Sequence, residues 1–122
     1  MANAINWFEI PATNFSRAKD FYSQVFDTEM QVQEIMGTQM AFFNATDNGV
    51  SGAICHGKGY EPSPVGTLPY LNGGDDLEGV LQKIVPAGGQ VLMPKTKVSE
   101  EVGYVAMFLD TEGNRIALHS NG

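Results

Sequence analysis

Cysteine occurs once in the 122 residues, at Cys55, so no internal disulfide can staple this chain. A lone thiol suits a reducing compartment, and a cytoplasmic protein is expected. Cations are scarce: seven Lys and Arg stand against fourteen Asp and Glu, a net charge of −7. Such a chain repels phosphate backbones and anionic headgroups, which excludes nucleic acid and membrane surfaces as partners. Long apolar runs are also missing. The longest, Tyr104–Leu109, has six residues, against the ~20 that a membrane-spanning helix needs. Met1 to Ser16 holds no Lys or Arg, and Glu9 and Pro11 break the apolar stretch around Trp7. No targeting segment is expected there. Charged residues make up only 17% and apolar ones 43%, which excludes a disordered chain. A chain this long buries roughly two-thirds of its unfolded surface and folds without staples.

What is present is an internal repeat. Asn14 to Tyr22 can be laid on Asp76 to Ile84, an offset of 62. Each segment opens on a residue that can accept from a first-turn N–H, Asn14 or Asp76. Each continues with apolar residues at helical spacing. These are Phe15, Ala18, Phe21, Tyr22 and Val25 in one, and Leu77, Val80, Leu81 and Ile84 in the other. Strand-like runs precede them at 5–10 and 68–72. Further strands are expected at 30–36, 39–43 and 50–55 in the first half, with turns at Gly37 and at Asp47-Asn48-Gly49. The second half has counterparts at 91–93, 104–109 and 115–119, with Pro86 and Gly88-Gly89 closing its helix. Each half is therefore β-α-β-β-β. The first spans about 1–56 and the second about 67–122. Half of the ten residues from Gly57 to Gly66 are Gly or Pro, which marks a connector. Its Gly57-Lys58-Gly59 lacks the spacing and following helix of a phosphate loop.

In the first strand, alternation puts Ile5, Trp7 and Glu9 on one face and Phe8 and Ile10 on the other. The repeat gives Pro69 and Leu71 the role of Trp7 and Glu9. In the last strand, Ala117 and His119 lie opposite Ile116 and Leu118. Cys55 is expected as a small buried hydrophobe, since no neighbouring cation would activate it. His56 is expected at the surface, at a strand end.

The twofold βαβββ chain resembles the glyoxalase / bleomycin-resistance / dioxygenase superfamily, the vicinal oxygen chelate proteins. The carriers are Trp7-Phe-Glu-Ile-Pro11, Arg17-Ala-Lys-Asp-Phe21-Tyr22, Ala87-Gly-Gly89 and Asp110-Thr-Glu-Gly113-Asn-Arg-Ile116. The resemblance implies an α+β fold in which two modules with curved mixed sheets enclose a cleft, often completed by a second copy. A homodimer is expected on that ground. Metal-dependent members place His, Glu or Gln at four strand positions that fall here on Trp7, about Ala53, Pro69 and Ala117. None of these is a side-chain ligand for a divalent ion, so no metal or other cofactor is expected at that position. Glyoxalase I and extradiol dioxygenase chemistry are disfavoured. Two residues further along each strand stand Glu9, about Cys55, Leu71 and His119. The resemblance then implies a cleft that binds a small organic molecule, apolar or cationic, through Trp7, Glu9 and His119. The alternative is a lyase- or isomerase-type enzyme in which Glu9 and His119 transfer protons, or in which both join a shifted metal shell.

Overall fold

The computed structural model describes residues 3–46 and 48–122; Asp47 of the expected Asp47-Asn48-Gly49 turn lies outside them. The first strand, β1 (Trp7–Pro11), leads into α1 (Phe15–Val25). The Asn14 side chain accepts from the Arg17 N–H at 3.0 Å and satisfies one orphan donor of the first turn. The apolar residues of α1 recur on one face, and Phe15, Ala18, Phe21, Tyr22 and Val25 are all buried. A hairpin follows, β2 (Gln31–Ile35) and β3 (Thr38–Phe42). Its two-residue turn puts Met36 at φ 54° and Gly37 at φ 83°, the left-handed pair that matches strand twist. Next comes β4 (Ser51–His56), which pairs antiparallel with β3 and parallel with β1.

The second half repeats the plan with β5 (Tyr70–Asn72), α2 (Glu78–Leu81), β6 (Gln90–Ser99), β7 (Gly103–Leu109) and β8 (Arg115–Ser120). Strand orders are β1-β4-β3-β2 in one sheet and β5-β8-β7-β6 in the other. The architecture is α+β, two βαβββ modules with four-stranded mixed sheets. The second helix is shorter than the repeat predicts. After one α-turn, Lys83 and Ile84 donate to carbonyls only three residues back. Gly79, Pro86 and the branched Val80, Ile84 and Val85 explain this, since all resist a regular helix. In turn, β6 is longer than expected. It runs through Pro94 with register shifts on both sides, which an edge strand tolerates.

One core holds both modules. Phe21 of α1 meets Phe108 of β7 at 5.9 Å between ring centroids. Ile10 and Ile54 of the first sheet share a buried cluster with Ile116 and Leu118 of the second. The turn between β7 and β8 latches onto the start of α1. Glu112 accepts from the N–H groups of Thr13 and Asn14 at 2.9 and 2.7 Å, and from Arg17 Nε at 2.8 Å. Tyr22 donates to Asp110 at 2.7 Å, and Asn114 Nδ2 donates to the Pro11 carbonyl at 2.8 Å. The Asp-x-x-Gly-Asn turn is thus an intermodule clasp.

Three expectations need correcting. Leu71 pairs with Leu118 and is buried in the core; Tyr70 and Asn72 occupy the opposite face, beside Ala117 and His119. The N-cap of α2 is Leu77 rather than Asp76, 63 residues after Asn14. His56 is half-buried, with Nδ1 against the Ala12 carbonyl at 2.8 Å.

Candidate functional site

Each sheet turns one face to the helices and leaves the other open. On the open face of the first sheet, β1 supplies Trp7 and Glu9, β3 supplies Met40 and Phe42, and β4 supplies Ala53 and Cys55. Ala53 is fully buried and stands directly beside Glu9, with Ser51 beside Trp7, so β4 sits two residues along from the register expected of it. The Trp7 and Phe42 rings meet at 5.9 Å, tilted by 57°.

Glu9 is the hub of this face. Its carboxylate accepts from Trp7 Nε1 at 3.3 Å and from the Tyr60 hydroxyl at 2.7 Å. Tyr60 comes from the connector, where its N–H donates to the Gly57 carbonyl and Gly59 adopts φ 92°. That left-handed bend is open to glycine at no steric cost. The hydrogen bond to Glu9, aided by burial, pushes the Tyr60 phenol up to about 12. Burial, then the Glu9 charge, pushes the Cys55 thiol up to about 12 as well. Cys55 is buried, so it sits under the hub as an inert hydrophobe. Tyr60 was not visible as a site residue in the sequence. The only signal for it was an aromatic residue in a Gly- and Pro-rich connector.

The second open face carries Tyr70, Asn72, Met107, Ala117 and His119. His119 Nε2 faces the Val102 carbonyl at 2.5 Å. Glu9 and His119 thus lie on different sheets, each with its own partner, and no hydrogen bond joins them. Between the modules runs a groove of about 920 Å³. Phe8 and Glu9 of β1 line one side, and Leu68 to Asn72 the other. Trp7 and His119 lie outside its lining.

The four superfamily metal positions do not fit a divalent ion. The positions expected from the resemblance hold Trp7, Ala53, Pro69 and Ala117, and Tyr70 is the β5 residue that pairs with Ala117; none of these is a usual donor. Among the described residues, no three His, Cys, Asp or Glu side chains are placed to hold one ion.

Comparison with known proteins adds a family. Residues 4–118 match the profile of the Glyoxalase/Bleomycin resistance protein/Dioxygenase superfamily. A glyoxylase-like domain-containing protein of Didymella fabae is 31% identical over 122 residues, covering 93% of this chain and 91% of that one. CFP32 of Mycobacterium bovis is 31% identical over 117 residues, 93% of this chain. The match spans 44% of CFP32, less than half its length. Among solved structures, TnmS3, an antibiotic binding protein from Streptomyces sp. CB03234, aligns with TM-score 0.71 at 23% identity. It covers 100% of this chain and 99% of its own. A glyoxalase/bleomycin resistance protein from Albidiferax ferrireducens reaches TM-score 0.78 at 12% identity, covering 98% and 100%.

Proposed function

This chain belongs to the glyoxalase/bleomycin resistance protein/dioxygenase superfamily, and on that premise we propose that it binds a small organic molecule without the superfamily metal. The ligand carries a cationic nitrogen on a planar apolar body. The observation behind this reading is the Glu9 hub, a carboxylate held by Trp7 and Tyr60 in an aromatic frame. A carboxylate pairs with the cation, and the indole face adds cation–π attraction of about 0.5–2 kcal/mol. The antibiotic-binding description of TnmS3, a fold neighbour, is consistent with ligand capture on this scaffold. The net charge of −7 favours a cation over an anion at this face.

The same reading takes the protein as a cytoplasmic homodimer. Val32, Ile35 and Val102 are exposed apolar side chains that a second copy would cover. Proton transfer between Glu9 and His119 draws no support from their separate partners within one chain.

The test uses Trp7, the single tryptophan, as reporter. Benzamidine, an aromatic cation, should quench its fluorescence saturably, with or without a chelator present. Neutral benzamide should bind at least tenfold more weakly, and Glu9→Gln should erase the difference. Quenching that vanishes with chelator and returns with a divalent metal would refute the reading.

A further inference from the structure

We infer that Arg115 anchors a carboxylate-binding site on the open face of the second sheet, for a carboxylate carried on an apolar body. This goes beyond the Glu9 site and does not depend on it.

Arg115 opens β8, two residues before Ala117 and four before His119. Alternation puts all three opposite the core residues Ile116 and Leu118. Across the ladder Arg115 faces Leu109, and the next pair on that face is Ala117 with Met107. Tyr70 flanks Ala117 on the other side. The arginine therefore stands at one end of an apolar strip.

Its Nε is buried and has no hydrogen-bond partner among the described residues. The chain's other arginine, Arg17, is paired with Glu112. The carboxylates nearest in sequence are already engaged. Asp110 accepts from Tyr22 and from Asn114, and Glu112 accepts from Thr13, Asn14 and Arg17. Arg115 is only partly buried, but a buried Nε–H without an acceptor is costly, because it has lost its hydration and no side chain replaces it. No acceptor among the described residues reaches this donor, so an incoming anion is the group that completes the site.

The guanidinium geometry selects the anion. Its edge presents parallel N–H donors that match the two oxygens of a carboxylate. One guanidinium on a chain of net charge −7 suits a monoanion better than a phosphate dianion. Met107 and the exposed Tyr70 beside it accept an apolar body, over the fully buried Ala117, and shield the pair from water. His119 is four residues along the strand, roughly 13 Å away, within reach of the far end of an elongated ligand.

The test is an NMR titration of the full chain, reading the Arg115 Nε–H and the Ala117 methyl. Benzoate should shift both saturably, with a dissociation constant at least tenfold below that of benzamide. Arg115→Met should abolish benzoate binding, and Arg115→Lys, which loses the planar fork, should weaken it at least tenfold. Without ligand, Arg115→Met should melt at or above the wild-type temperature, by up to about 5 °C, because an orphaned buried donor has been removed. Arg115→Gln serves as a second variant if Arg115→Met fails to fold. An equal response to benzamide would overturn the proposal. So would no saturable shift below about 50 mM benzoate, or wild-type benzoate affinity in Arg115→Met. A lowered melting temperature in both Arg115→Met and Arg115→Gln would assign the arginine to the fold and overturn it too. Trp7 quenching by benzamidine in Arg115→Met separates this site from the Glu9 site.

Discussion

Removing the Glu112 carboxylate should loosen the clasp between the modules. The side chain is fully buried, and four donors converge on it: the N–H groups of Thr13 and Asn14, the Arg17 guanidinium and the Thr111 hydroxyl. A hydrogen bond to a charged acceptor nets about 1.5–3 kcal/mol. The two backbone donors are the main term. Thr13 and Asn14 are both exposed, so their N–H groups regain water in the mutant and the two bonds do not add in full. Arg17 is half-exposed and returns to water, so it is left out of the sum. Glu112→Ala should then cost about 2–4 kcal/mol, and Glu112→Gln, which keeps one acceptor oxygen, about 1–2 kcal/mol. In urea the midpoint should fall by roughly 1–2 M for the alanine variant, with m unchanged. Acid adds a second readout. Burial alone would push the Glu112 carboxyl up, but hydrogen bonds from Arg17, the Asn14 N–H and Thr111 outweigh it and hold it below the ordinary 4.5. The folded state therefore gives up this proton more readily than the unfolded chain. Its stabilisation is complete above pH 4.5 and is lost as pH falls below that value through the folded one. Glu112→Gln should lose this part of the acid limb. A Glu112→Ala midpoint within about 0.3 M of wild type, or an unchanged acid limb in Glu112→Gln, would refute the clasp.

Two further outcomes follow from the first sheet. Cys55 should resist Ellman's reagent at pH 8 in the folded protein and react freely in urea, since its thiol is buried and pushed up to about 12; Glu9→Gln should lower that value, and fast native labelling would contradict it. Gly52→Ala should destabilise by about 1–3 kcal/mol on denaturant unfolding, because its Cβ would stand 2.4 Å from the Phe8 carbonyl oxygen and 2.5 Å from the Phe8 ring; wild-type stability would mean that β1 and β4 can part cheaply.

The first helix was legible because local chemistry and tertiary packing agree there. Asn14 caps it, and every apolar residue of its periodic stripe is buried. The first strand was legible for the same reason, with Ile10 in the core and Trp7 beside Glu9 on the open face. The Asp110–Asn114 turn was legible as a signature but not as a clasp, since Arg17 and Glu112 are 95 residues apart. Nothing local in either segment encodes their meeting. Tyr60 was hidden by its setting. A Gly- and Pro-rich segment announces a connector, and only the folded path of Gly57 to Tyr60 brings the phenol onto Glu9.

The misplaced face of β5 has a single physical origin. Asp76 looks like the counterpart of Asn14, and its side chain does accept a first-turn N–H. That N–H belongs to Glu78, two residues on, whereas Asn14 accepts from Arg17, three residues on. The first geometry is an Asx-turn and the second a helix cap, and the two use the same residue types. Matching Asp76 to Asn14 shortens the repeat offset by one residue. In a helix that error rotates a side chain by about 100°, but in a strand it exchanges the two faces outright. Pro69 and Leu71 thereby took the places of Tyr70 and Asn72. With the first pair, β5 itself would have offered that open face no side chain able to hydrogen-bond a ligand. The actual pair sets a phenol and an amide beside Ala117 and His119, so the face opposite Leu71 and Leu118 is the one equipped for recognition.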